Sequence, residues 1–340
     1  MITSNVKEVA FMKGTEDQYF HRYEYDADNR LIYAQTSTNG HSWAEDARYL
    51  YYAHGPLARI ELGEDQVQGL DYFYSLQGWI KGVNNTTRAT DMGRDGMGDL
   101  TASPPPSYSP NQWFGQDEMS FYLGYHSQDY QPIGTGIDLG KYASSATAAF
   151  NGDVLGSGTS KGLYNGNIAF MITHLPKLFQ VNNNTNATQA AIYQYDALHR
   201  IKQMRSYGYT GGIWNKSGLN AAYATSYTYD ANGNIQTLAR NTLNGSIIAG
   251  IDSLSYGYGT GRYINRLTTI TDAMGTTAGL NDVGNSAYSY DAIGNIIADG
   301  TNTMSWNLQN KVATVDNSNY RISYGYDISG NRLRKTVRPQ

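Results

Sequence analysis

Hydrophobic and polar positions alternate in short runs along this chain, and the runs are cut by turn-forming residues. The phrase YTYDANGNI from Tyr227 shows the pattern. Tyr227 and Tyr229 lie two apart, so on a strand they share a face. Aromatic residues suit a pleated, half-buried surface. Asp230 then opens DANG, with Asp first and Gly233 fourth. This is the composition of a type I turn followed by a left-handed residue, which makes a hairpin with a bulge. Asn234 and Ile235 begin the return strand. The phrase predicts one strand–turn–strand unit.

That unit recurs. It reads YEYDADNRL from Tyr23, YQYDALHRI from Tyr193, YSYDAIGNI from Tyr288 and YGYDISGNRL from Tyr324. The repeated elements are thus Tyr23, Tyr25 and Asp26; Tyr193, Tyr195 and Asp196; Tyr227, Tyr229, Asp230 and Gly233; Tyr288, Tyr290, Asp291 and Gly294; and Tyr324, Tyr326, Asp327 and Gly330. Asn29 and His199 replace the glycine in two copies, followed by Arg30 and Arg200, and these turns are expected to differ slightly or to carry strain. Looser copies start at Tyr72 (YFYSLQGWI) and Leu254 (LSYGYGTGRYINRL), and MSWNLQNKVATV from Met304 is strand-like. Each Asp is expected to accept from a backbone N–H two residues on, a structural role rather than a ligand ladder. A lone hairpin is marginal in water, so neighbours must pair edge to edge and stability belongs to the stack. The fold expected is all-β: tandem antiparallel hairpins forming a curved or spiralling sheet.

These phrases resemble the RHS/YD-repeat family, which includes bacterial RHS proteins, toxin-complex cocoon subunits and the teneurins. The five full copies carry the resemblance. YLYYAHGPLARIEL from Tyr49, GLDYFYSLQGWIKGVNN from Gly69, DMGRDGMGDL from Asp91, DEMSFYLGYHSQDYQPI from Asp117 and GLYNGNIAFM from Gly162 are similar to phrases of Bacteroidetes-type members. The resemblance covers nearly the whole chain and is weakest over 1–20, 100–112 and 138–160. It implies strands coiled into a shell around a hollow interior, with a C-terminal toxic domain enclosed in bacterial members and an adhesion scaffold in teneurins. No segment of the DPxG kind follows the last copy, so autoproteolytic cargo release is carried to no residue. A piece of a longer protein, or a short cargo-free member, is expected.

The chain is read as a single array over 1–340. An irregular, turn-rich insertion occupies about 84–112, with Pro104, Pro105 and Pro106 running extended, and a short helix is expected at 138–150. Tyrosine dominates the aromatics, 30 residues against 8 Phe and 5 Trp. Its ring with a hydroxyl suits a wall wet on both faces better than a dry core. Net charge is −4, which argues against a nucleic-acid partner. The absence of cysteine excludes disulfides and thiolate metal sites. No apolar run approaches a membrane helix, and the residues after Met1 do not read as a secretion signal. Asn-x-Ser/Thr triplets are read as chance in an Asn- and Thr-rich chain.

Candidate chemistry is thin. Asp91, Asp95 and Asp99 lack the alternation and closing Glu of a calcium loop. GTGIDLG from Gly134 has the wrong spacing for a phosphate loop. His21, His41, His54, His126, His174 and His199 are scattered, and no GxSxG occurs. Asp117–Glu118 and Glu64–Asp65 are neighbours that face opposite ways on a strand, unlike a glycosidase pair. The expectation is a non-catalytic shell segment without cofactor or metal, extracellular or at the cell surface. Its partners would be other segments of a longer protein, an enclosed cargo, or other copies joined through open sheet edges. The alternative is an adhesin or glycan-binding surface using outward Tyr and Trp79, Trp113 or Trp306.

Overall fold

A computed structural model describes residues 4–84, 114–115, 117–126, 129–130, 163–175, 188–210, 213–215, 222–244, 247–275 and 283–340. The turn-rich insertion, the helix expected at 138–150, Asp91, Asp95, Asp99, Trp113 and the GTGIDLG stretch lie outside these residues. Every described element is a strand or turn, apart from one 3-10 turn at Gly261–Tyr263. The protein is all-β and built of antiparallel hairpins. The chain falls into two compact units, residues 1–194 with 206–220, and residues 195–205 with 221–340.

In the first unit ten strands pair in chain order. They are β1 (Glu8–Phe11), β2 (Tyr19–Tyr25), β3 (Leu31–Ser37), β4 (Ala44–Tyr51), β5 (Leu57–Leu62), β6 (Gln68–Tyr74), β7 (Ile80–Val83), β8 (Ser120–Gly124), β9 (Phe170–His174) and β10 (Thr188–Tyr195). The end of β11 (Ile201–Thr210) pairs with β12 (Ile213–Asn215). The core of this unit joins Phe73, Tyr122, Phe170, Ile172, Ala190, Ile192, Tyr207 and Trp214. Phe170 and Ile172, like Ala190 and Ile192, sit two apart, as strand periodicity requires. Gly82 and Gly124 leave no room for a Cβ, because the rings of Phe73 and Phe170 lie across them.

Charge is buried here too. Arg59 Nη1 donates to Asp71 Oδ2 at 2.5 Å, and its Nε reaches Glu61 at 3.1 Å. Lys81, fully enclosed, donates to Asp129 Oδ2 at 2.6 Å and to the Leu123 carbonyl, beneath the Tyr122 ring. The same carboxylate oxygen accepts from Tyr125 N at 2.7 Å. Burial pulls the Lys81 ammonium down to about 8, with Asp129 opposing.

In the second unit the start of β11 pairs with β13 (Thr225–Tyr229). The ladder continues through β14 (Ile235–Asn244), β15 (Ile247–Tyr258), β16 (Leu267–Asp272) and β17 (Ser286–Ala287). A six-stranded run follows: β18 (Ser289–Tyr290), β19 (Ile296–Ala298), β20 (Thr303–Trp306), β21 (Val312–Asp316), β22 (Tyr320–Tyr326) and β23 (Arg332–Pro339). Period-two alternation gives two unlike faces. Thr228, Thr237, Ser255 and Thr271 lie side by side on one. Tyr227, Leu238 and Leu254 align on the other, where Leu254 is 3% exposed. Asp252, also buried, takes the Arg240 guanidinium and the Val283 N–H.

Candidate functional site

The feature repeated most faithfully is the hairpin turn, and it is built by one carboxylate. Asp230 Oδ1 accepts from Asn232 N at 2.9 Å and Asn234 N at 2.8 Å, while Oδ2 accepts from Asn234 Nδ2 at 2.8 Å. Asp26 repeats this with the backbone of Asp28 and Arg30 and with Arg30 Nε; Asp196 does so with Leu198, Arg200 and Arg200 Nε. Asp291 and Asp327 use Asn295 and Asn331. Four residues after the Asp there is always Arg or Asn, which closes the second carboxylate oxygen. The side-chain bond from Asn234 holds Asp230 below the usual carboxylate range, as that from Asn331 does Asp327. At Asp26 the Arg30 N–H leads in the same direction.

The position before this closing residue has positive φ in every copy. Gly233, Gly294 and Gly330 stand at φ +91°, +103° and +81°. Asn29 and His199 stand at +63° and +62°. The two non-glycine turns therefore keep the same hydrogen bonds and hold an L-residue in the left-handed region. A register shift next to the second tyrosine, as between Thr228 and Tyr229, marks the bulge.

The second tyrosine joins one hairpin to the one before it. Tyr229 Oη donates to the Ile201 carbonyl at 2.6 Å, Tyr258 to Ile235 at 2.7 Å, Tyr290 to Leu267 at 2.7 Å and Tyr326 to Val312 at 2.9 Å. In the first unit Tyr25 reaches Val6, Tyr51 reaches Leu31 and Tyr125 reaches Ile80. From Leu31 onward, each acceptor opens the return strand of a hairpin. Trp306 takes the place of tyrosine once, its Nε1 donating to Ile296 O at 2.8 Å. Asn307 follows it in the Asp position, accepting from Gln309 N and Lys311 N, and Asn310 has φ +55°. The strand-like phrase from Met304 is thus a complete hairpin with none of the signature residues.

Arginines bridge successive turns. Arg200 lies over the Tyr229 ring and its Nη1 donates to Asp230 O at 3.1 Å. Arg30 lies over Tyr51, and Arg266 over Tyr263 and Tyr290. The first tyrosines pack within the sheet: Tyr23 stacks on His21, Tyr227 on Tyr229, and Tyr324 lies beneath Arg332. Tyr193 and Tyr288 donate their backbone N–H to Ala169 and Thr268, and Tyr195 ends β10. Trp79 packs against Tyr125. No cluster of three potential metal ligands occurs among the described residues.

No family model matches the chain, and no curated protein does. Solved structures do match in part. A TcdB2-TccC3 crystal structure aligns with 98% of this chain and 15% of its own, at 11% identity and TM-score 0.38. The Photorhabdus luminescens Tc holotoxin pore aligns over the same shares at 12% and 0.35. A porin-like protein from Bacteroides uniformis aligns with 98% of this chain and 93% of its own, at 10% and 0.20. The chain spans about 15% of the length of the toxin-complex chains it matches.

Proposed function

We propose that this chain is a wall segment of the RHS/YD-repeat type, 1–340 forming one array, belonging to an exported protein and enclosing or presenting a polypeptide. The observation that carries this is the tyrosine latch. The signature hairpins are closed by their own carboxylate, and Tyr229, Tyr258, Tyr290 and Tyr326 each tie a hairpin to the one before it by a hydroxyl on a backbone carbonyl. Such a unit gains its stability by being next to another copy, as a continuous barrier requires. The site chemistry is spent on turns and latches, and no catalytic role is assigned. Electron microscopy of the purified chain tests the reading. A curved, single-layer sheet is expected; a compact particle without one would overturn it.

A glycan-binding surface is the second reading. It is favoured by the ring row on β2, where Tyr19, His21 and Tyr23 lie in succession with centroids 4.9 Å and 6.2 Å apart. A glycan array without hits counts against it.

A further inference from the structure

In the second unit the signature turns all lie at one end of the strands, because alternate connections of an antiparallel meander lie at opposite ends. Hydrogen bonds between neighbouring turns run along the row: Arg200 reaches the turn of Asp230, Asn234 Nδ2 reaches Asn265 Oδ1 at 2.9 Å, and Gln309 Nε2 reaches Ile328 O at 3.2 Å. All of these turns except that of Asp230 carry an exposed aliphatic side chain at the tip. Leu198 is 66% exposed, Ile264 47%, Ile293 74%, Leu308 105% and Ile328 95%. The signature turn geometry does not require them, since sibling turns with the same hydrogen bonds have Asp28 or Asn232 at the Leu198 and Ile293 position and Ala27 or Ala231 at the Leu308 and Ile328 position.

The same end is cationic in a chain of net charge −4. Arg200, Lys202, Arg262, Arg266, Lys311 and Arg332 stand there against Asp196, Asp230, Asp291 and Asp327. Those carboxylates are each engaged inside their own turns. Among the described residues, Arg262, Arg266, Lys311 and Arg332 form no ion pair.

The spacing selects the occupant. Successive tips are two strands apart, roughly 10 Å, with polar turn residues between them. Separated single side chains do not make one contiguous apolar patch. A fluid bilayer accepts isolated aliphatic anchors one by one, and anionic headgroups complement the flanking cations. We propose that the turn-tip row of the second unit is a docking edge for an anionic lipid surface.

The test is co-sedimentation of the full chain with vesicles of phosphatidylcholine alone and of phosphatidylcholine with phosphatidylserine. Binding is expected to the mixed vesicles, weakened at high salt, and at least ten-fold weaker without phosphatidylserine. The quadruple variant Leu198→Asn, Ile293→Asn, Leu308→Ala, Ile328→Ala introduces only residues found at equivalent places in sibling turns, so it should melt as the parent does. It is expected to lose at least ten-fold in vesicle binding. Wild-type chain left in the supernatant, or a folded quadruple variant that binds equally well, overturns the proposal. So does self-association that the quadruple variant abolishes while vesicle binding is absent, which would assign the row to a second copy.

Discussion

Gly233 has open space where a Cβ would stand, the nearest atom being Arg200 Nη1 at 3.9 Å. Its cost on substitution is therefore backbone strain alone. Gly233→Ala should lower stability by about 1–2 kcal/mol, measured by chemical denaturation, the usual penalty for an L-residue at positive φ. The turn carboxylates set an acid limit. Asp26, Asp196, Asp230, Asp291 and Asp327 are all held below their ordinary pKa in the folded chain. A depressed carboxylate contributes stability above its unfolded pKa of about 4 and loses it as pH falls through the folded value. Melting temperature should accordingly drop below about pH 4, and Asp230→Asn should shallow that drop. An equal acid slope in the variant would count against the turn role.

Hairpins show how much is legible in sequence and why the rest is not. The Asp-x-x-Gly turn can be read from residues, because one side chain and one φ requirement define it locally. Legibility stops where the requirement becomes geometric. Trp306-Asn307 builds the same turn and latch with neither tyrosine nor aspartate, since an indole N–H also donates and an amide oxygen also accepts. The latch itself is hidden because its acceptor is a backbone carbonyl with no identity of its own. Arg or Asn four residues after each Asp is visible in hindsight, as the donor the second carboxylate oxygen needs. The ion pair of Lys81 with Asp129 joins residues far apart in sequence, that of Arg59 with Asp71 spans the neighbouring strands β5 and β6, and nothing in the repeat marks either. At this scale Tyr258→Phe should cost about 0.5–1 kcal/mol, the net worth of one hydrogen bond, and should speed amide exchange at the β13–β14 turn it ties to β15. Exchange confined to the substituted strand would contradict the latch.

Across the whole chain the buried groups decide the response to alkali and to truncation. Burial raises the Tyr52 hydroxyl to about 12, and its Oη donates to Tyr72 O at 2.7 Å. A raised phenol contributes stability fully below its unfolded pKa near 10 and loses it as pH rises through the folded value. Unfolding is expected between about pH 10 and 12, followed by tyrosinate absorbance, and Tyr52→Phe should delay it. Lys81→Met should cost about 3–5 kcal/mol, because the Asp129 carboxylate would stay buried without its cation. The double change with Asp129→Leu should recover most of that loss, as read from the denaturation midpoint.

Because every latch ends on a main-chain oxygen, the receiving residue contributes its carbonyl whatever its side chain. Val6, Leu31, Ile201, Ile235, Leu267, Ile296 and Val312 all do so here. The bond itself constrains only the donating side chain, while the receivers here are all branched aliphatics. Hairpins are therefore interchangeable parts: one can drift, be duplicated or be transplanted beside a new neighbour without a matching change in that neighbour.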